Sequence, residues 1–263
     1  MGGKNPIGVT DSGVGGLTLV KELGAVCPGE DIVYFGDSAN CPYGNRSRDE
    51  LFALNLRTLG FMREKGVKAV GVACNSSASL IDELARRFDF PVFSIVSPIA
   101  RAIAKDGPGR VGVFATEFTI SSGVYQKQIH SINPKIEVYG KGSPNLAKLV
   151  DICADCDAID KEIKTELGAL LSREPLEHVI WGCTHFPIVD ENFYRLFPNV
   201  SYINPANAQA TAIYAYLGGN GLLNPQKKGR LCVYTSGETR NFSEVIARLG
   251  ILEPAVLESV DLL

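Results

Sequence analysis

Residues 69–84 read AVGVACNSSASLIDEL, and residues 178–193 read HVIWGCTHFPIVDENF. Each is a short run of small or β-branched apolar residues ending in a cysteine, then polar residues, then a helical pattern. A buried strand running into a helix is the unit of a parallel α/β sheet. The same unit recurs around both stretches. Residues 6–10 (PIGVT), 31–37 (DIVYFGD), 68–73 (KAVGVA) and 91–95 (PVFSI) read as strands. Between them, residues 16–26 and 47–66 carry helical periodicity; Leu51, Leu54, Phe61 and Met62 share a face and Gly66 supplies a stop.

From residue 109 the pattern starts again. GRVGVFATEFTISSGVYQKQI (109–129) parallels the opening NPIGVTDSGVGGLTLVKEL, KIEVYGK (135–141) is the next strand, and residues 158–174 form a helix with Ile159, Ile163, Leu167 and Leu170 in register. Asp11 precedes Cys74 by 63 residues and Glu117 precedes Cys183 by 66. These offsets predict a duplication: two α/β lobes related by a pseudo-two-fold, each a mostly parallel sheet flanked by helices, with the active site in the cleft between them. The expected division is 1–98 plus 208–263 for the first lobe and 99–207 for the second. The tail adds one strand and one helix at 230–250, after a Gly/Asn-rich loop at 218–229.

The 263 residues carry a net charge of −3, which gives no long-range attraction to nucleic acid or anionic membrane. No apolar run approaches the roughly 20 residues of a membrane span, and the N-terminus does not read as a signal peptide. Seven scattered cysteines fit free thiols in a reducing cytoplasm better than a disulfide framework. Cys153 and Cys156 form a lone CxxC, read as two helix-face or loop thiols. With only three histidines, the cysteine motifs lack the ligands of a metal cluster.

Ligands of open α/β sheets bind beyond the carboxyl ends of the strands. Cys74 and Cys183 stand at two such ends, and a helix N-terminus following each is expected to lower the thiol pKa and to hold an anionic group. Asn75, Ser76 and Ser77 are expected caps after Cys74, with Thr184 and Pro187 in the equivalent roles after Cys183. Two thiols across a pseudo-symmetric cleft suit removal of a proton from one face of a carbon and its return to the other. The glycines of DSGVGG (11–16) read as allowing close backbone approach to a substrate; they lack the spacing of a phosphate loop.

Six segments, IGVTDSGVGGLTLVKEL, YFGDSANCPYGNRS, VACNSSAS, VGVFATEFTISSGVYQ, WGCTHFP and VYTSGETRNF, together span nearly the whole chain and resemble the glutamate racemases of the cofactor-independent aspartate/glutamate racemase superfamily. The histidine after Cys183-Thr184 resembles the glutamate branch; the aspartate branch typically carries an acid there. The resemblance implies interconversion of L- and D-glutamate for peptidoglycan, with no cofactor and no metal, in a cytoplasmic homodimer. It implies that Cys74 works on the proton of the D-enantiomer, assisted by Asp11, and Cys183 on that of the L-enantiomer, assisted by His185. It also implies substrate contacts from Asp11, Ser12, Tyr43, Gly44, Asn75, Ser76, Thr184 and His185. Related enzymes (an aspartate racemase, or a maleate-isomerase-like protein) and a non-catalytic glutamate-binding regulator are the alternatives. Three positions depart from the family pattern. Ser76 stands for its usual Thr, and Asn204-Pro205 for an Asp-Ser pair. Ser143-Pro144 with Asp151 stands for Cys-Pro with Glu, and the shorter acid argues against a proton-relay role for Asp151.

Overall fold

The computed structural model describes residues 2–262. Its strands are β1 (Ile7–Asp11), β2 (Ile32–Gly36), β3 (Ala69–Val72), β4 (Val92–Ser94), β5 (Arg110–Ala115), β6 (Glu137–Gly142), β7 (His178–Gly182), β8 (Ser201–Ile203), β9 (Leu231–Thr235) and β10 (Val256–Ser259). They form two sheets, ordered β10-β9-β2-β1-β3-β4 and β6-β5-β7-β8, and every recorded strand pairing is parallel. The run β2-β1-β3-β4 has the same order as β6-β5-β7-β8, which is the duplication read from the sequence; β9 and β10 extend the first copy at its β2 edge. Parallel strands are buried on both faces, and every residue of β1, β2 and β3 is buried.

The largest hydrophobic core draws on both sheets. Val9, Leu19 and Val233 belong to it, and so do Phe114, Trp181 and Phe193. The helix Pro205–Gly219 packs on the helices Leu17–Val26 and Val96–Asp106 and reaches β3 and β7, so one element touches both sheets. Asn204 caps it, accepting from the amide of Ala206 (3.0 Å), with Pro205 in the first turn. The Asn-Pro pair is therefore a helix start. No helix among the described residues is long and apolar enough to cross a membrane.

Several expectations need correction. The duplication places Glu117 opposite Asp11, but the strand register does not: Asp11 pairs with Gly36 and Ala115 with Gly142, so Ala115 is the counterpart of Asp11. Glu117 lies two residues further on, exposed in the first turn of the helix Glu117–Ser122. The stretch after Cys74 is a 3-10 helix, Asn75–Leu80, passing into a five-residue α-helix, Ile81–Ala85. The Asn75 and Ser76 side chains bond to other elements instead of capping. The sequence reading also missed β8 and β10, which are three and four residues long, and the helix Val96–Asp106.

Beneath the amino ends of the strands, Lys68 is wholly buried. Its ammonium pairs with Glu30 and donates to the carbonyls of Gly3 (2.7 Å) and Leu222 (2.8 Å), while Glu30 accepts from the amide of Asn224 (2.8 Å). Lys68→Met leaves the Glu30 carboxylate buried without a countercharge. A loss of ~3–5 kcal/mol is expected, read as a lowered midpoint in urea denaturation; a midpoint equal to wild type would show that the pair contributes nothing net.

Candidate active site

Cys74 follows β3 and Cys183 follows β7, each at the carboxyl end of its strand and each 5% exposed. Both line one enclosed pocket with Ser12, Tyr43, Gly44, Asn75, Ser76, Thr184 and His185. Of the ten residues named from sequence, nine thus meet in one place, drawn from both sheets. Asp11 stands just behind, in a second small void with Thr10, Tyr43 and Cys74. The free space left in the main pocket is only about 10 Å³, about one water.

The two thiols have unequal surroundings. On one side, His185 Nδ1 lies 3.7 Å from the Cys183 sulfur and Nε2 lies 3.1 Å from Asp151 Oδ1. Burial alone would lower the His185 pKa. The hydrogen bond it makes to Asp151, then those to Cys183 and Cys41, instead hold it well above its ordinary value. Burial likewise opposes ionisation of Asp151, but His185, the Val14 amide (3.0 Å) and Cys41 keep its pKa below the usual carboxylate value. The shorter acid therefore does reach the histidine. The Ser143 hydroxyl donates to Glu162 (2.7 Å) and accepts from the Leu146 amide (3.1 Å), fixing the start of the helix Leu146–Asp151 that carries the acid. Asn241, from the GETRNF segment, donates to the Asp151 carbonyl (2.9 Å).

On the other side, the Cys74 thiol is pushed up to about 12, by burial first and by the neighbouring Asp11 carboxylate second; the amide and hydroxyl of Ser77 pull the other way. The helix start thus does not lower this thiol as expected, because desolvation outweighs a few amide dipoles. Asp11 accepts from Thr184 Oγ1 (3.1 Å) and from the Gly13 amide (3.3 Å), and burial raises its pKa against the pull of His185 and these donors. Tyr43 donates to Asp37 (2.7 Å). Asn75 Oδ1 accepts from Tyr125 (2.6 Å), while its Nδ2, buried in the pocket wall, has no partner. Ser76 Oγ lies 3.1 Å from Thr116 Oγ1.

Four lining residues escaped the sequence reading: Pro42, Thr116, Ala147 and Gly182. Thr116 could have been found, since it follows Ala115 as Ser12 follows Asp11 and so occupies the duplicated position. The glycines of DSGVGG permit close approach to side chains from other segments. A Cβ on Gly13 would collide with the Asp151 carboxylate, and one on Gly15 would come within 2.7 Å of His185 Nδ1 and also strike Thr184. They let the loop after β1 press against the side chains after β7.

A pocket with two thiols, a histidine–carboxylate pair and a donor without a partner defines an acid–base enzyme acting on a small anionic molecule. A family model described as Asp/Glu/Hydantoin racemase matches residues 16–213. Glutamate racemase of Thermoanaerobacter pseudethanolicus is 37% identical over 239 residues, 90% of each chain. That of Desulforudis audaxviator is 32% identical over 271 aligned positions, 99% of each. The crystal structure of glutamate racemase from Francisella tularensis in complex with D-glutamate superposes with a TM-score of 0.88 at 33% identity, covering 99% of this chain and 98% of that one. The chain belongs to the aspartate/glutamate racemase family, among its glutamate racemases, and is an amino-acid racemase.

Two outcomes follow from the contacts around His185. Gly15→Ala should lower kcat/KM by about 100-fold, the scale of an ångström-sized misplacement, with a circular dichroism spectrum like that of wild type; undiminished activity would show that the close approach is not needed. Asp151→Asn should destabilise the fold by ~3 kcal/mol near pH 6. Asp151 is depressed, so its share is present above about pH 3.9 and is lost as pH falls through its lower folded value. His185 is raised, so its share is full below about pH 6.5 and is lost only as pH rises through its higher folded value. The gap between wild type and variant in urea titrations should therefore be widest between those two pH values. A gap independent of pH would rule out the ion pair as its source.

Proposed function

We propose that this protein interconverts L- and D-glutamate by proton transfer between Cys74, Cys183 and the α-carbon, supplying D-glutamate for peptidoglycan. The observation that carries the reading is that both cysteines line one closed pocket at equivalent strand ends of a duplicated fold. A single base tends to return a proton to the face it left; two groups on opposite faces invert the centre.

With L-glutamate bound, the Cys183 thiolate takes the α-proton, and His185, backed by Asp151, stabilises the exchange. The Cys74 thiol delivers its proton to the other face, leaving a thiolate to which Asp11 relays a proton. Acting on D-glutamate, the two thiols exchange parts. The partnerless Nδ2 of Asn75, with Ser12, Ser76, Thr184 and the amides at Tyr43–Gly44, would hold the carboxylates, and Asp11 would face the ammonium. Glutamate is larger than the free space in the pocket, so binding has to part the lobes. No strand of one sheet pairs with the other, which supports such a movement; the proposed boundaries near 98/99 and 207/208 fall inside the helices Val96–Asp106 and Pro205–Gly219, so the hinges would lie at the ends of those helices. The free cysteines support placement in a reducing cytoplasm. A homodimer is proposed from family resemblance, to be checked by sedimentation.

Purified protein without added cofactor should exchange the α-proton of glutamate with solvent deuterium and interconvert the enantiomers. Cys74→Ser and Cys183→Ser should each lower kcat by at least about 100-fold, since general acid–base catalysis by a positioned group contributes roughly 10²–10⁴ and a serine hydroxyl is a far weaker acid. Proton exchange absent from folded wild-type protein would sink the proposal, as would full turnover in either variant. Activity confined to aspartate would favour the related-enzyme alternative.

A further inference from the structure

Behind the pocket, Cys41, a thiol the proton-transfer reading does not use, completes a cluster with His185 and Asp151. The Cys41 sulfur, an Asp151 carboxylate oxygen and a His185 ring nitrogen lie within 4.8 Å of one another. Cys41 does not line the main pocket, and it is partly exposed while the other two residues are buried. Residues 41, 151 and 185 share no spacing motif, so only the fold brings them together.

We propose that Cys41, Asp151 and His185 form a site for a thiophilic divalent cation, zinc above all, and that filling it stops turnover by removing the imidazole from the proton path. Thiolate, imidazole and carboxylate are the donors zinc takes, and three protein ligands with a free fourth position make an exchangeable site, not a closed structural one. A thiolate and a carboxylate cancel the two charges of the ion, so no net charge is left in the interior. The 3.1 Å between Asp151 Oδ1 and His185 Nε2 is close to the roughly 3.3 Å kept by two ligands each about 2.0–2.1 Å from a tetrahedral ion.

The donors are also held in place. Asp151 is fixed by the Val14 amide and by Asn241 on its carbonyl, and Gly13 closes one side, since a Cβ there would meet both the Asp151 carboxylate and the Cys41 sulfur (3.2 Å). Such supporting contacts orient ligands around an ion. The partly exposed Cys41 supplies the route from solvent. The site itself stands apart from the racemase reading; the effect of filling it rests on that reading.

The test is equilibrium dialysis of the chelator-stripped full chain against zinc chloride, with cobalt(II) as the spectroscopic probe. Wild type should bind one zinc per chain, and cobalt should give a thiolate charge-transfer band. Cys41→Ala should lose that band and weaken zinc binding by more than the 10–100-fold typical for loss of a mere supporting residue. Cys41→Ser, which keeps the side chain's shape, should do the same. The zinc concentration that halves racemase activity, measured for each protein against its own activity in EDTA, should rise by the same factor. Wild-type affinity in both Cys41 variants would overturn the proposal. So would a band that survives in them but disappears in Cys74→Ala or Cys183→Ala, because the metal would then lie between the pocket thiols. Zinc binding through Cys41 in a protein with no racemase activity in EDTA would support the site and refute the proposed function.

Discussion

The structure turns on the contact between the loop after β1 and the residues after β7. Thr184 gives its hydroxyl to Asp11 across the cleft, Asp151 takes the amide of Val14, and glycines 13 and 15 lack the side chains that would block the approach. Each group here is buried, so each unpaired donor or acceptor would cost ~1–3 kcal/mol. The two lobes therefore close in a defined way. That closure brings Cys74 and Cys183 into one pocket, since each thiol stands at the carboxyl end of a strand in a different sheet.

Duplication gives the site its symmetry of position, and the surroundings remove its symmetry of chemistry. Cys183 has an imidazole behind it, whose pKa the hydrogen bond to Asp151 raises. Cys74 has a carboxylate behind it, and both burial and that charge raise its pKa. The strand register explains part of this difference: the place of Asp11 is taken in the second sheet by Ala115, and the acid that looked equivalent, Glu117, points to solvent. In the proposed two-thiol reaction each thiol would be matched to its own partner group, and a duplicated fold lets the two sides diverge independently.

The departures from the family pattern have structural roles here. Ser143 starts the helix that presents Asp151, Asn204 and Pro205 start the helix that touches both sheets, and Ser76 joins a hydroxyl cluster with Thr116 and Thr119. In the first case the loss of a methylene in the acid is made up by where the helix ends, so the carboxylate still meets His185 at 3.1 Å. Reach depends on backbone placement as much as on side-chain length.

The sequence by itself determined the alternation of strand and helix, the duplication, and the identity of the two thiols. Apolar runs and polar caps are local signals, and CNSS and CTHF repeat at matching offsets. It did not determine the short strands β8 and β10, whose three and four residues carry too little pattern, or the tight helical turn after Cys74. Nor could it bring Cys41 and Asp151 to His185, because each arrives there through contacts between residues far apart in the chain. The raised pKa values of Cys74 and His185 were likewise decided only by tertiary structure: a pKa follows from burial and from the charges that packing brings near, and neither is written in the neighbouring residues.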